Sequence, residues 1–114
     1  MAEKRTIYFV TKSENAPIVL FEAIEKSKNE EIMIFFDLDG ARVLDEDFAR
    51  EMTQEMNTDI LLLLKSALLS GVKMFACQMN VMLASKLKCF EGVEFAGVVT
   101  FLNYAYEADA VLSY

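Results

Sequence analysis

Two cysteines and one pair of closely spaced aspartates are the side chains here whose type and placement suit chemistry. Cys77 directly follows the apolar run Val72–Ala76, which reads as a strand, and stands a few residues before a helix-like stretch. A thiol between a strand end and a helix N-terminus faces the positive end of the helix dipole and free backbone N–H groups, and both favour thiolate over thiol. The same field stabilises a persulfide anion, which makes Cys77 a candidate nucleophile and sulfur carrier. The structural alternative is a small buried apolar side chain, a common fate of free cysteine. Cys89, between Lys88 and Phe90, is either filler at a position any apolar residue could take or a second thiol able to pair with Cys77. There is no histidine, so Ser-His-Asp, Cys-His and His-ligated metal arrangements are excluded. Two cysteines do not make a zinc site alone. Neither a metal nor an organic cofactor is expected.

The aspartates lie in Asp37-Leu38-Asp39-Gly40, immediately after the apolar run Ile32–Phe36. This segment resembles the first motif of the haloacid-dehalogenase phosphatases, a resemblance that implies Asp37 as nucleophile, Asp39 as general acid/base and a magnesium ion beside them. Ala41 stands where that family has threonine, and no paired acids follow a later strand to complete the metal site. The alternative is a tight turn in which Asp39 tolerates unusual backbone angles and Gly40 supplies positive φ.

The elements that must position these residues alternate along the chain. Thr6–Val10 and Ile32–Phe36 are apolar, β-branched or aromatic runs that read as strands buried on both faces. Between them Ser13 is placed to cap a helix that tolerates Pro17 in its first turn and ends near Asn29. After Gly40 the chain turns polar and acidic, and then Phe48–Met56 and Ile60–Leu69 read as helix. The second is apolar nearly all round and is therefore buried or shared with another subunit. Gly71 closes it, Val72–Ala76 is the third strand, and Val81–Leu87 a short helix. Gly92 turns the chain into a fourth strand at Val93–Phe95, Gly97 opens a helix through Glu107, and Ala110–Leu112 is a fifth strand. Strands alternating with helices call for right-handed crossovers and a mostly parallel sheet covered on both faces. Reactive groups then gather outside the carboxyl ends of the strands. Lys12 and Thr100, on loops expected at that same edge, are candidates for holding an anionic sulfur group, or else ordinary solvated residues.

With 114 residues, 54% of them hydrophobic, the chain fits one domain spanning 1–114 and has no room for a second. Its net charge of −7 is spread along the chain, which argues against non-specific nucleic-acid binding. The first residues do not read as a signal peptide, because polar Thr11–Asn15 follows directly on one short apolar run. No apolar segment approaches the roughly 20 residues of a membrane span. A soluble, cytoplasmic protein with reduced thiols is expected. Positive mean hydropathy in so short a chain, with Phe101, Tyr104 and Tyr106 near its end, predicts a homo-oligomer, most simply a dimer or trimer.

Gly71-Val72-Lys73-Met74-Phe75-Ala76-Cys77-Gln78-Met79, followed by Glu91-Gly92-Val93-Glu94-Phe95-Ala96-Gly97-Val98, resembles the DsrE/DsrF-like family, particularly its small stand-alone, peroxiredoxin-like members. Phe35-Phe36 with Asp39-Gly40 after it, and the terminal Glu107-Ala108-Asp109-Ala110-Val111-Leu112, fit the same pattern. The resemblance implies a three-layer α/β/α sandwich with a five-stranded, mostly parallel sheet, assembled into oligomers. It also implies a sulfur relay in which one cysteine, here Cys77, carries sulfane sulfur as persulfide or thiosulfonate between donor and acceptor proteins. Asn80-Val81-Met82 departs from the Ser, Met and Asp common after Cys-Gln-Met, and Cys89 stands where an aliphatic residue is usual. Because some members have no demonstrated activity, a non-catalytic scaffold subunit is the alternative.

Overall fold

A computed structural model describes residues 4–77 and 91–114. Cys89 and the expected helix at Val81–Leu87 lie outside these residues. Five strands, β1 (Arg5–Val10), β2 (Glu31–Phe36), β3 (Lys73–Cys77), β4 (Glu94–Ala96) and β5 (Ala110–Ser113), form one sheet in the order β4-β3-β2-β1-β5. All four pairings are parallel. The helices are α1 (Ala16–Lys26), α2 (Glu46–Met56), α3 (Ile60–Leu69) and α4 (Val98–Tyr106).

The two faces of the sheet follow from the two-residue period of a strand. Tyr8, Val10, Ile32, Ile34, Phe36, Met74 and Ala76 point to one face and pack with Val19, Leu20, Leu64 and Ala67 of α1 and α3. Their sequence neighbours Ile7, Met33, Phe35 and Phe75 point to the other face, where Phe101, Tyr104 and Ala105 of α4 cover them. Continuous apolar runs on β1 and β2 are thus the consequence of burial on both sides. The order explains which face each helix takes. The crossovers β1 to β2 and β2 to β3 step along the sheet in one direction, whereas β4 to β5 steps back across it, and a right-handed return puts α4 on the opposite face. The result is a three-layer α/β/α sandwich.

Local chemistry differs from the sequence expectation at three places. Ser13 does not cap a helix with its side chain; it begins a 3-10 turn, Ser13–Asn15, that runs into α1, and Pro17 sits in that helix's first turn. The stretch after Gly40, read as polar and acidic, is buried in part, because Leu38–Leu44 winds as 3-10 helix and buries Gly40, Ala41, Val43 and Leu44. The left-handed residue is Leu38, at φ 50, and not Asp39 or Gly40. Gly40 is required for space: a Cβ there would stand 2.2 Å from the carbonyl oxygen of Val10. α3, apolar nearly all round, buries Ile60, Leu63, Leu64 and Ala67 and leaves Leu62 and Leu69 59% and 90% exposed, so the expectation that it is buried or shared with another subunit is met on one side of the helix within this chain.

Candidate active site

The carboxyl edge of the sheet carries Cys77 and, on the turn after β2, Asp37 and Asp39. Cys77 is the last residue of β3, half-buried, and its register partner on β4 is Ala96. Cys77 shares the parity of Phe75, so its side chain belongs to the face that α4 covers. Gly97 follows Ala96 and is the N-cap of α4, with no side-chain hydrogen bond capping the helix. The thiol therefore stands beside the strand-to-helix junction that opens α4. The sequence pointed to the helix after Cys77 as the neighbour of the thiol; strand pairing brings in the start of a later helix, which no local pattern around Cys77 reveals.

A half-open cavity of about 240 Å³ occupies this corner. Its floor is Phe9 of β1, Phe35 of β2, Cys77 and Ala96, and its wall is Val98, Phe101 and Leu102 of α4. Phe101 is fixed by ring contacts with Phe9, at 5.1 Å between centroids, and with Phe35, at 5.0 Å edge to face. Phe35 in turn stacks on Phe75 at 4.5 Å. Such packed aromatic pairs make the wall rigid as well as apolar. Asp37 also borders the cavity near Cys77, since Phe36 and Ala76 are register partners and the two strands leave the sheet together. Its carboxylate accepts a hydrogen bond from the backbone N–H of Leu38 at 2.8 Å.

Asp39 is placed otherwise. Its Oδ2 accepts from the backbone N–H of Ser13 at 2.9 Å and from the Ser13 hydroxyl at 2.8 Å, and its Oδ1 from Arg42 at 3.3 Å. The backbone N–H of Ser13 is the largest of the influences that hold this carboxyl below its usual range, with the hydroxyl and the Arg42 charge acting in the same direction against partial desolvation. Asp39 thus ties the turn after β1 to the turn after β2. It is spent on that task, and the Asp37-x-Asp39-Gly40 segment is accounted for by turn geometry and by the contact of Gly40 with Val10. Among the described residues no three acids or cysteines gather to hold a metal ion.

Of the two suggested anion-holding residues, neither lines the cavity. Lys12 is exposed at the start of the 3-10 turn, and Thr100 is not on a loop but in the first turn of α4. Of the residues that form the site with Cys77, Phe9 and Phe35 belong to runs that the sequence reads as strands buried on both faces, Phe101 reads there as surplus apolar surface near the chain's end, and Leu102 carries no reading of its own. The two-residue period of a strand places Phe9 and Phe35 on one face.

No helix of the described residues is long and apolar enough to cross a membrane. Among solved structures, the fold is similar to that of the ychN protein from E. coli, at a TM-score of 0.76 and 20% identity, covering 98% of this chain and 99% of that one. It is also similar to a conserved protein of unknown function from Bacteroides thetaiotaomicron, at a TM-score of 0.67 and 16% identity, covering 98% and 95%. No curated protein matches the sequence. The profile of the DsrE/DsrF/DrsH-like family matches residues 11–112, a span that runs from the turn after β1 into β5 and takes in Cys77 with the whole of its cavity wall on α4. By that match, with the parallel five-stranded sheet and the helices on its two faces, the chain belongs to the DsrE/DsrF/DrsH-like family.

Proposed function

We propose that this protein is a sulfur-relay carrier in which Cys77 holds sulfane sulfur, as persulfide or thiosulfonate, between a donor and an acceptor protein. Family membership supports a role connected with sulfur relay. The observation that carries the finer reading is the position of Cys77, half-buried at the carboxyl end of β3 and open to a cavity beside the start of α4. Sulfur transfer needs a thiolate that can attack and a product sulfur that a second thiolate can reach, so full burial would defeat it. The first turn of α4, opened by Gly97, which has no side chain with which to cap it, presents a helix N-terminus whose dipole favours a negatively charged sulfur nearby.

Intact-mass spectrometry after incubation with polysulfide or tetrathionate tests this. A mass increase labile to cyanide or dithiothreitol should map to the Cys77 peptide, persist in Cys89→Ala and vanish in Cys77→Ala. An adduct confined to Cys89, or an unmodified Cys77 in the folded protein, replaces the carrier with the scaffold reading.

The scaffold reading rests on a separate observation. α4 turns Phe101, Tyr104 and Ala105 inward, yet Val99 and Tyr106 are 72% and 92% exposed, and Val98 and Leu102, which border the cavity, are themselves more than half exposed. A helix apolar on both sides asks for a second cover, and a homo-oligomer, dimer or trimer, supplies it. Sedimentation at micromolar concentration is expected to return a multiple of the 12.9 kDa chain mass; the mass of one chain would refute it.

A further inference from the structure

We propose that the outer stripe of α4, formed by Val99, Leu102, Asn103 and Tyr106, is the contact surface for a second copy of this chain, packed on it antiparallel about a two-fold axis. This deepens the homo-oligomer reading above and rests on it. The four residues follow one another at spacings of three, one and three, which places them on one face of the helix. That face lies opposite the one that carries Phe101, Tyr104 and Ala105 against the sheet, and all four residues are exposed. Charge decides between occupants. α1, α2 and α3 each carry charged side chains, whereas the nine residues of α4 carry none. Two copies of a chain with net charge −7 repel one another, and like charges brought together in a contact cost binding energy. The α4 stripe is a face on which two copies meet without that cost and bury apolar side chains that a single chain leaves in water.

Side-chain size and the helix dipole set the direction. Antiparallel packing about a two-fold axis opposes Val99 to Tyr106 of the partner subunit, a small side chain to a large one, and does so at both ends of the stripe. Parallel packing would crowd tyrosine on tyrosine at one end and leave valine facing valine at the other. The antiparallel arrangement also sets the positive N-terminal end of each α4 beside the negative C-terminal end of its partner. Leu102 borders the cavity beside Cys77 as well, so the second copy lies next to that cavity.

The test is sedimentation at micromolar concentration of the parent chain, of Val99→Glu, of Tyr106→Lys and of the double variant. The parent is expected at twice the 12.9 kDa chain mass or an even multiple of it. Each single substitution buries unpaired charge in the contact and should halve that mass. Both positions are exposed in the single chain, so the far-UV circular dichroism of each variant should match the parent's. The double variant opposes the new carboxylate of one copy to the new ammonium of the other at each end of the stripe. It should recover the parent mass, and the recovery should weaken as salt is raised. An assembly that keeps its mass in both single variants, or that holds an odd number of chains, overturns the α4 pairing and leaves the homo-oligomer reading standing. Halving in the single variants without recovery in the double variant overturns the antiparallel arrangement. A parent with the mass of one chain defeats both readings and leaves the stripe to a different protein.

Discussion

Asp39 and Ser13 are bound to each other twice, through the backbone N–H and the hydroxyl of Ser13, both to Oδ2 and both within 2.9 Å. Two loops far apart in the sequence become one shelf beneath the carboxyl edge of the sheet. Asp39→Ala is expected to destabilise the fold by about 1 kcal/mol, a modest figure because the carboxylate is half exposed and screened. Asp39→Asn, which keeps an acceptor, should lose less. The carboxyl is held below its ordinary value in the folded state, so its contribution is complete above about pH 5 and is lost as pH falls below about 4. Urea unfolding of both variants from pH 3 to 7 checks the magnitude and the sign.

Gly40 and Gly71 separate two reasons for glycine. Gly40→Ala would drive a Cβ to 2.2 Å from the Val10 carbonyl oxygen, a backbone atom with little room to yield, and should cost about 3 kcal/mol or prevent folding. Gly71 has φ +90 with open space around it, so Gly71→Ala carries only the penalty of a left-handed residue, about 1 kcal/mol. Thermal unfolding of the pair should rank them in that order.

Phe101 holds the cavity wall against β1 and β2 through its rings with Phe9 and Phe35. Because it is only partly buried, Phe101→Ala should cost about 2 kcal/mol, less than a fully buried phenylalanine. Denaturant unfolding measures the loss, and Cys77 should remain modifiable in the folded variant.

No magnesium-dependent phosphate release is expected from this protein. Asp39 is engaged by Ser13 and Arg42, and Gly40 and the left-handed Leu38 explain the motif as a turn. A phosphatase assay with and without magnesium checks this; release that requires the ion and disappears in Asp37→Asn would establish the opposite.

What the sequence determined by itself are the features set by local patterning. The continuous apolar runs at β1 and β2 could be satisfied only by burial on both faces, and the alternation of strands with amphipathic helices led to a parallel, two-sided sheet. Cys77 at a strand end was legible for the same reason, because a run's last apolar residue marks where the chain leaves the sheet. The tertiary structure alone decided the order β4-β3-β2-β1-β5, and with it the pairing of Cys77 with Ala96 that brings the start of α4 to the thiol. Pairing across strands depends on the summed burial of both faces and on the hand of each crossover, neither of which a window of neighbouring residues contains. The same holds for Ser13 and Asp39: each is a competent helix cap or turn residue where it stands, and only the approach of two loops makes them partners for one another. Gly40 is the plainest instance, since the atom that forbids a side chain there is the carbonyl of Val10, thirty residues away along the chain and brought close by the parallel pairing of β1 with β2.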